Sequence, residues 1–416
     1  MFNKKIKSFI FNCKYYLLTF IIFFQLFFSS ISYSLTITLP SNSFPSTDDE
    51  LFDQENKNMV SPLVFTLRIK NQPVVKFYME KKPQLIDKQD QYGSTLLHHA
   101  IGYHCNDIVQ HLINDRNVDV FMPNKSGVTP LMIAAQYNNS DAIDFIQNSK
   151  PDQIKAGVEM RDNNGLTALH YACQYGHMNA IKKLVNINNQ LVNSQAHNDD
   201  TPLLYALKNN LINHESINFL LDVEVLDISK ADNNGFHFIS WVAKQNKTTL
   251  FEKVLDRPEL KQALSLKNEN LENCLFQCIN VSQEGDHGDS IDVLKQMLKA
   301  SPNLVNSTTK AGEPLIMLAA NYKKWAVFKL LLDMGANIAL PNNNGVTVIM
   351  LLTHHNALKQ LQMLQDNPNF KRCVNKQDND RQNALFYIGS EKYCIRFYEL
   401  SRIGAVALAG NFLGKQ

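Results

Sequence analysis

The chain has 416 residues, 44% of them hydrophobic, with 41 Lys and Arg against 39 Asp and Glu. It can bury a large core and carries no single-sign charge field. Lys4, Lys5, Lys7 and Lys14 lie in the first 34 residues with no acid among them, so without that segment the balance is 37 − 39 = −2, which excludes the basic footprint of a nucleic-acid binder.

The N-terminus reads as an export signal. Lys4, Lys5 and Lys7 form a basic start, residues 15–28 are apolar except for Thr19 and Gln25, and the run S-S-I-S-Y-S follows. Ser32 and Ser34 stand at the spacing a signal peptidase accepts, which predicts a Sec-type leader over residues 1–34, cut after Ser34, and a periplasmic or secreted protein. The competing reading is an uncleaved span over residues 15–35, which would anchor the protein in the inner membrane. Residues 35–60 are polar, with Pro40, Pro45 and the acidic run Asp48, Asp49 and Glu50, and read as a linker.

From residue 61 to residue 416 the apolar pattern is helical and comes in pairs. Pro62 and Leu63 open a degenerate pair, with Val74, Val75, Phe77 and Tyr78 as its second stripe. Four clearer units start at Asp90, Pro123, Asp162 and His197, with second stripes Ile108, Val109, Leu112 and Ile113, then Ala142, Ile143, Phe145 and Ile146, then Ala180, Ile181, Leu184 and Val185, then Ile217, Phe219, Leu220 and Leu221. The third of these is the most complete. Asp162 and Gly165 bracket Asn163 and Asn164 at a tight hairpin tip, Thr167 caps a first helix carrying Ala168, Leu169, Ala172 and Cys173, and Gly176 ends it. Gly93, Gly127 and Gly165 recur at 34 and 38 residues, and Asp200, Gly235, Gly312 and Gly345 mark later copies. Two short helices enclose no core alone, so the units must stack.

The tandem runs D-Q-Y-G-S-T-L-L-H, P-N-K-S-G-V-T-P-L-M and D-N-N-G-L-T-A-L-H, the D-T-P-L-L run from Asp200, and L-L-L-D-M-G-A-N at residues 330–337 resemble ankyrin repeats. The resemblance covers roughly residue 62 to the C-terminus. It implies an all-α ankyrin-repeat solenoid of eight or nine helix-turn-helix units joined by β-hairpin-like loops. His98 and His170, in T-L-L-H and T-A-L-H, would then hydrogen-bond backbone between neighbouring hairpins. The same resemblance puts the end of each first helix and the hairpin tips on a concave partner-binding face. Tyr103, Tyr137, Tyr175 and Tyr322 each stand ten residues after a hairpin glycine, and stacking would align the first three into a row of interface anchors. Tyr92, Lys125, Asn163, Asn164, Asn233 and Asn234 are the hairpin-tip candidates.

Other chemistry is weakly represented. Glu284, Asp286, His287 and Asp289 bring oxygen and nitrogen ligands together in a polar insertion, but their spacing matches no metal motif and reads as a solvated loop. Cys274 and Cys278 lie one helical turn apart with no second pair to complete a zinc site. These two, with Cys105, Cys173, Cys373 and Cys394, are expected to be core thiols, outside any disulfide framework. No nucleophile motif, phosphate loop or dinucleotide fingerprint occurs, so no cofactor and no catalysis are expected. Gly404 and Ala405 match Gly335 and Ala336, and the apolar Val406, Leu408, Phe412 and Leu413 are expected to fold back over the last helices. The function implied is protein recognition, in an exported, host-directed bacterial adaptor; a membrane-anchored periplasmic scaffold is the alternative, and an enzyme with a site in residues 268–306 the distant third.

Overall fold

The computed structural model describes residues 62–209, 214–245, 250–252, 264–267, 272–280, 289–384 and 386–387. The leader, the linker, the candidate metal ligands Glu284, Asp286 and His287, Cys394 and the tail from Gly404 lie outside them. The chain divides into Met1–Ser61 and Pro62–Gln416, and the described residues all belong to the second unit.

The helix pairs expected from the period form. In order they are α1 (Pro62–Arg68) and α2 (Gln72–Lys81), α3 (Leu96–Gly102) and α4 (Asn106–Arg116), α5 (Pro130–Gln136) and α6 (Ser140–Ser149). A short α7 (Ile154–Glu159) precedes α8 (Ala168–Gln174) and α9 (Met178–Ile187), followed by α10 (Pro202–Asn209) and α11 (His214–Leu221). Then come α12 (Phe238–Lys244), α13 (Cys274–Asn280) with α14 (Asp289–Ala300), α15 (Leu315–Asn321) with α16 (Trp325–Asp333), and α17 (Val348–His354) with α18 (Leu358–Met363) and α19 (Phe370–Val374). First helices pack on first helices and second on second, α8 between α5 and α10 and α6 between α4 and α9. The result is two stacked helical layers with hairpins along one edge.

Each first helix is seven or eight residues long, too short to persist unaided in water. Their stability comes from the shared core. Ala100, Ala134, Ala172 and Ala206 are buried at equivalent places, and an alanine there lets two helices approach closely while the flanking leucines interdigitate. The second-helix stripes of the four clear units are buried, apart from Phe145 and Phe219, which are half-buried at the stripe's edge. In the first pair Val75 is buried but Val74, Phe77 and Tyr78 are not, and Met79 takes the second core place. That pair has a described neighbour on one side alone, α1 packing on α3 and α2 on α4, so a narrower face is covered.

The hairpins share one geometry. Gly93, Gly127, Gly165, Gly235, Gly312 and Gly345 have φ between 74° and 80°, and Asp199 and Arg381 take the same left-handed place at 59° and 63°. Asp199, not Asp200, therefore fills the glycine seat of the fourth clear unit. Glycine suits the seat twice over, because a Cβ on Gly127 would lie 2.8 Å from the backbone nitrogen of Asn163 in the next hairpin. That closeness belongs to a ladder running from unit to unit. Lys125 N–H donates to Tyr92 O, Asn163 to Ser126, His197 to Asn164, Asn233 to Asn198, Asn343 to Ala311 and Asn379 to Asn344, all at 2.9–3.1 Å. Among the described residues the pairing stays local, as isolated bridges Ala231–His237 and Thr308–Pro314.

Thr95, Thr129, Thr167 and Thr347 are the N-caps of their first helices. The Thr167 hydroxyl does not bond the helix directly. Both it and the Thr167 N–H approach Nδ1 of His170, at 2.9 and 3.1 Å, so Nδ1 accepts and Nε2 carries the proton, which it donates to Asp200 O at 3.0 Å. His98 repeats this from Thr95 to Val128 O. The backbone role implied for these histidines is thus present. Where methionine replaces histidine, its sulfur takes the threonine N–H, as Met132 does from Thr129 at 3.4 Å. Among the described residues six first helices are followed by a left-handed residue, at Lys70, His104, Asn138, Gly176, Lys323 and Asn356, and glycine occupies one of these six places.

The expected core thiols Cys105, Cys173, Cys274, Cys278 and Cys373 are all buried and free. Among the described residues no helix is long and apolar enough to cross a membrane, and no three His, Cys, Asp or Glu side chains group as a metal site.

Candidate protein-binding face

The first helices and the hairpins form one continuous face, and an acid three residues before the hairpin glycine organises it. Asp162 Oδ1 accepts from the N–H of Asn164 and of Leu166, at 2.9 and 2.8 Å, which closes the hairpin. Its Oδ2 accepts from the hydroxyl of Tyr171, nine residues on in α8, at 2.8 Å. The same double use recurs in other units. Asp232 closes its hairpin and takes Trp241 Nε1–H at 3.0 Å, Asp378 takes the Tyr387 hydroxyl at 2.8 Å, and Asp90 meets His99 Nε2 at 2.8 Å.

This pairing sets a row that the hairpin glycines alone did not reveal. Tyr171, Tyr205 and Trp241 stand six residues after Gly165, Asp199 and Gly235 in consecutive units, each half-buried. Burial and the Asp162 carboxylate push the Tyr171 hydroxyl well up, so it stays a donor. The sequence signal was an Asp nine residues before an aromatic residue or histidine. In the fourth clear unit Ala196 replaces the acid, and among the described residues Tyr205 has no carboxylate there.

Next to Trp241 lies a buried ionic group. Lys208 Nζ is 2.5 Å from Asp200 Oδ1 and 2.7 Å from Asp232 Oδ2, joining two consecutive units. Burial raises the Asp200 carboxyl, with Lys208 opposing. Burial raises Asp232 too, but Lys208, the Phe236 N–H and the Trp241 indole outweigh it and hold Asp232 below its usual value. Lys208 and Lys244 also lie over the Trp241 ring, 5.1 and 4.4 Å from its centroid.

The four tyrosines singled out by spacing hold one equivalent place in their units. Tyr103, Tyr137, Tyr175 and Tyr322 each cap the C-terminus of a first helix in closely similar conformation. Tyr137, Tyr175 and Tyr322 are 48%, 40% and 52% exposed, while Tyr103 is half-buried and stacks on His99 with centroids 6.5 Å apart. Tyr175 stacks on His177 at 5.7 Å. Tyr137 lies over Gly102 of the preceding unit, which leaves room for its ring. Asn209 and Gln245 hold the equivalent places in the next two units. The Gln245 side chain donates to Leu207 O, so the row stops at Tyr175 and resumes at Tyr322.

Of the hairpin-tip residues, Tyr92 is 62% exposed. Lys125, Asn164, Asn233 and Asn234 are exposed too. Asn163 is exposed, yet its side-chain amide donates to Lys125 O at 3.0 Å and so helps hold the hairpin ladder.

Residues 63–155 and 150–234 match the family model described as "Ankyrin repeats (3 copies)". Over 209 residues the chain is 25% identical to the putative ankyrin repeat protein L271 of Acanthamoeba polyphaga mimivirus, an alignment covering 47% of this chain and 27% of that protein. The chain therefore spans about a quarter of the length of the relative it matches. The ankyrin family is typically non-enzymatic and generally mediates protein–protein interaction. The hairpin register and the two helical layers continue the matched pattern beyond residue 234, as does the threonine cap at Thr347, and the chain carries ankyrin repeats within an all-α solenoid.

Proposed function

We propose that the chain is a protein-recognition module that holds its partner against the face made by the first helices and the hairpins. The observation that carries this reading is the pair of adjacent rows, exposed Tyr137 and Tyr175 beside half-buried Tyr171, Tyr205 and Trp241. Aromatic side chains offer large area for few rotors, and two of these, Tyr171 and Trp241, are already held by carboxylates, so little freedom is lost on binding.

The basic, apolar and small-residue succession of residues 4–34 supports export of the adaptor, and a host protein is the partner proposed for it by analogy with exported ankyrin-repeat proteins. An anchored scaffold is supported by the length of residues 15–35, which suffices for one span. N-terminal sequencing of the protein from each cell fraction separates the two: a start at Leu35 outside the membrane supports export, and an intact Met1 in membranes supports the anchor.

The recognition face is tested by placing a photo-crosslinking amino acid at Tyr137, Tyr175 or, on a second helix, Lys182. Partner adducts from the first two sites and not the third are expected. Adducts from Lys182 alone would overturn the assignment of the face.

A further inference from the structure

A hollow of about 480 Å³ lies between α15, the hairpin that precedes it and the residues just before α13, and Glu272, Lys310, Glu313, Leu318 and Tyr322 are among the residues lining it. Glu272 and Glu313 occupy the same place in consecutive units, two residues before the first helix begins. Leu318 is a buried floor, and Tyr322 is the exposed fourth member of the tyrosine row. The backbone of the wall is held on both sides. Thr309 and Glu313 bond across the hairpin through Thr309 N–H to Glu313 O and Glu313 N–H to Thr309 Oγ1, while Asn343 donates to Ala311 O and Lys310 O.

The lining charge is two carboxylates against one lysine, and the Glu313 carboxylate makes no ion pair among the described residues. An acidic side chain entering here would meet like charge, and an apolar one would strip water from carboxylates without replacing its hydrogen bonds. A cation satisfies the Glu313 carboxylate and lies against the tyrosine ring. Arginine fits better than lysine, because its planar guanidinium has donors along several edges, enough to serve that carboxylate while one face stacks on the ring. The hollow is of a size that takes a whole side chain.

We propose that this hollow anchors an arginine side chain in an extended segment of the partner protein, an inference that rests on the recognition role of this face. The test is selection of random displayed peptides on the full chain, followed by affinity measurement with the best binder. The expected binder contains an arginine whose replacement by citrulline, the same shape without charge, weakens binding about tenfold or more. Lysine at that site should be intermediate. Glu313→Gln and Tyr322→Ala should each reproduce most of the loss, and Lys310→Glu should tighten binding severalfold. All three side chains lie at the surface, and an unchanged melting curve confirms that the variants fold.

Binders that keep full affinity for the Glu313→Gln, Tyr322→Ala double variant but lose it on Tyr137→Ala, Tyr175→Ala would overturn the arginine anchor and leave the recognition face standing. Binders insensitive to both pairs, or no binders at all, would overturn both.

Discussion

Lys208 Nζ sits 2.7 Å from Asp232 Oδ2, a lysine of one repeat neutralising a fully buried carboxylate of the next. The same nitrogen holds Asp200, so one cation serves two acids that are almost wholly withdrawn from water. Removing it strands both. Lys208→Met is expected to lower unfolding free energy by about 2–4 kcal/mol, because an uncompensated buried charge costs more than the pair contributes. Urea denaturation measures the loss, and adding Asp200→Asn should recover part of it. If Lys208→Met alone leaves stability unchanged, the pair is not coupled as described.

His98 and His170 are held neutral, burial lowering each to about 4 from 6.5. In the unfolded chain they titrate near the ordinary value, so the unfolded state binds more protons between these limits. Their contribution is present above pH 6.5 and is lost as pH falls through about 4. Each adds up to about 1.4 kcal/mol per pH unit to the slope in that window. Melting temperature should therefore fall steeply from pH 6.5 to 4, and the double variant His98→Gln, His170→Gln should start lower at neutral pH but fall less. Parallel profiles would refute the linkage.

Asp199 has φ 59° where six other hairpins have glycine. A side chain in that left-handed conformation costs about 1 kcal/mol or more, and Asp199 is exposed. Asp199→Gly should raise stability by about 0.5–1 kcal/mol, read from the shift of the urea midpoint at constant slope. A loss would show that the aspartate side chain contributes more than its backbone strain costs.

Gly157 lies inside α7, where alanine would ordinarily favour the helix by about 1 kcal/mol. Here its Cβ would fall 2.0 Å from the ring of Phe121, so overpacking wins unless the ring moves. Gly157→Ala should cost about 1–3 kcal/mol, and in the Phe121→Ala background the same change should be neutral or favourable. A thermal melt of the four chains closes the cycle.

Much of the fold was legible because a repeated unit shows its grammar many times. The spacing of Gly93, Gly127 and Gly165 placed the hairpins, and the apolar stripes placed the second helices, since burial there follows the helical period. Tyr103, Tyr137, Tyr175 and Tyr322 were found the same way. The inner row was not, because Tyr171, Tyr205 and Trp241 mix two residue types, and for Tyr171 and Trp241 the side chain is fixed by a contact with an acid nine residues back. Nor could periodicity show Lys208 reaching Asp232, which depends on how far one unit is displaced from the next. The tyrosines themselves differ in accessibility: Tyr103 lies against His99 while Tyr137 stands open, a distinction that needs the neighbouring side chain.

The shared carboxylate described for Asp162 and Asp232 bears on how such a face can change. One oxygen closes a loop and the other fixes a side chain that a partner would touch. Vocabulary at that contact site is thereby restricted to residues able to give a hydrogen: tyrosine, tryptophan and histidine qualify, and phenylalanine or leucine would orphan an oxygen. A randomised library at Tyr171 or Trp241 should return hydrogen donors from folded clones even with no partner present. The same library at Tyr137, which answers to no acid, should return almost anything.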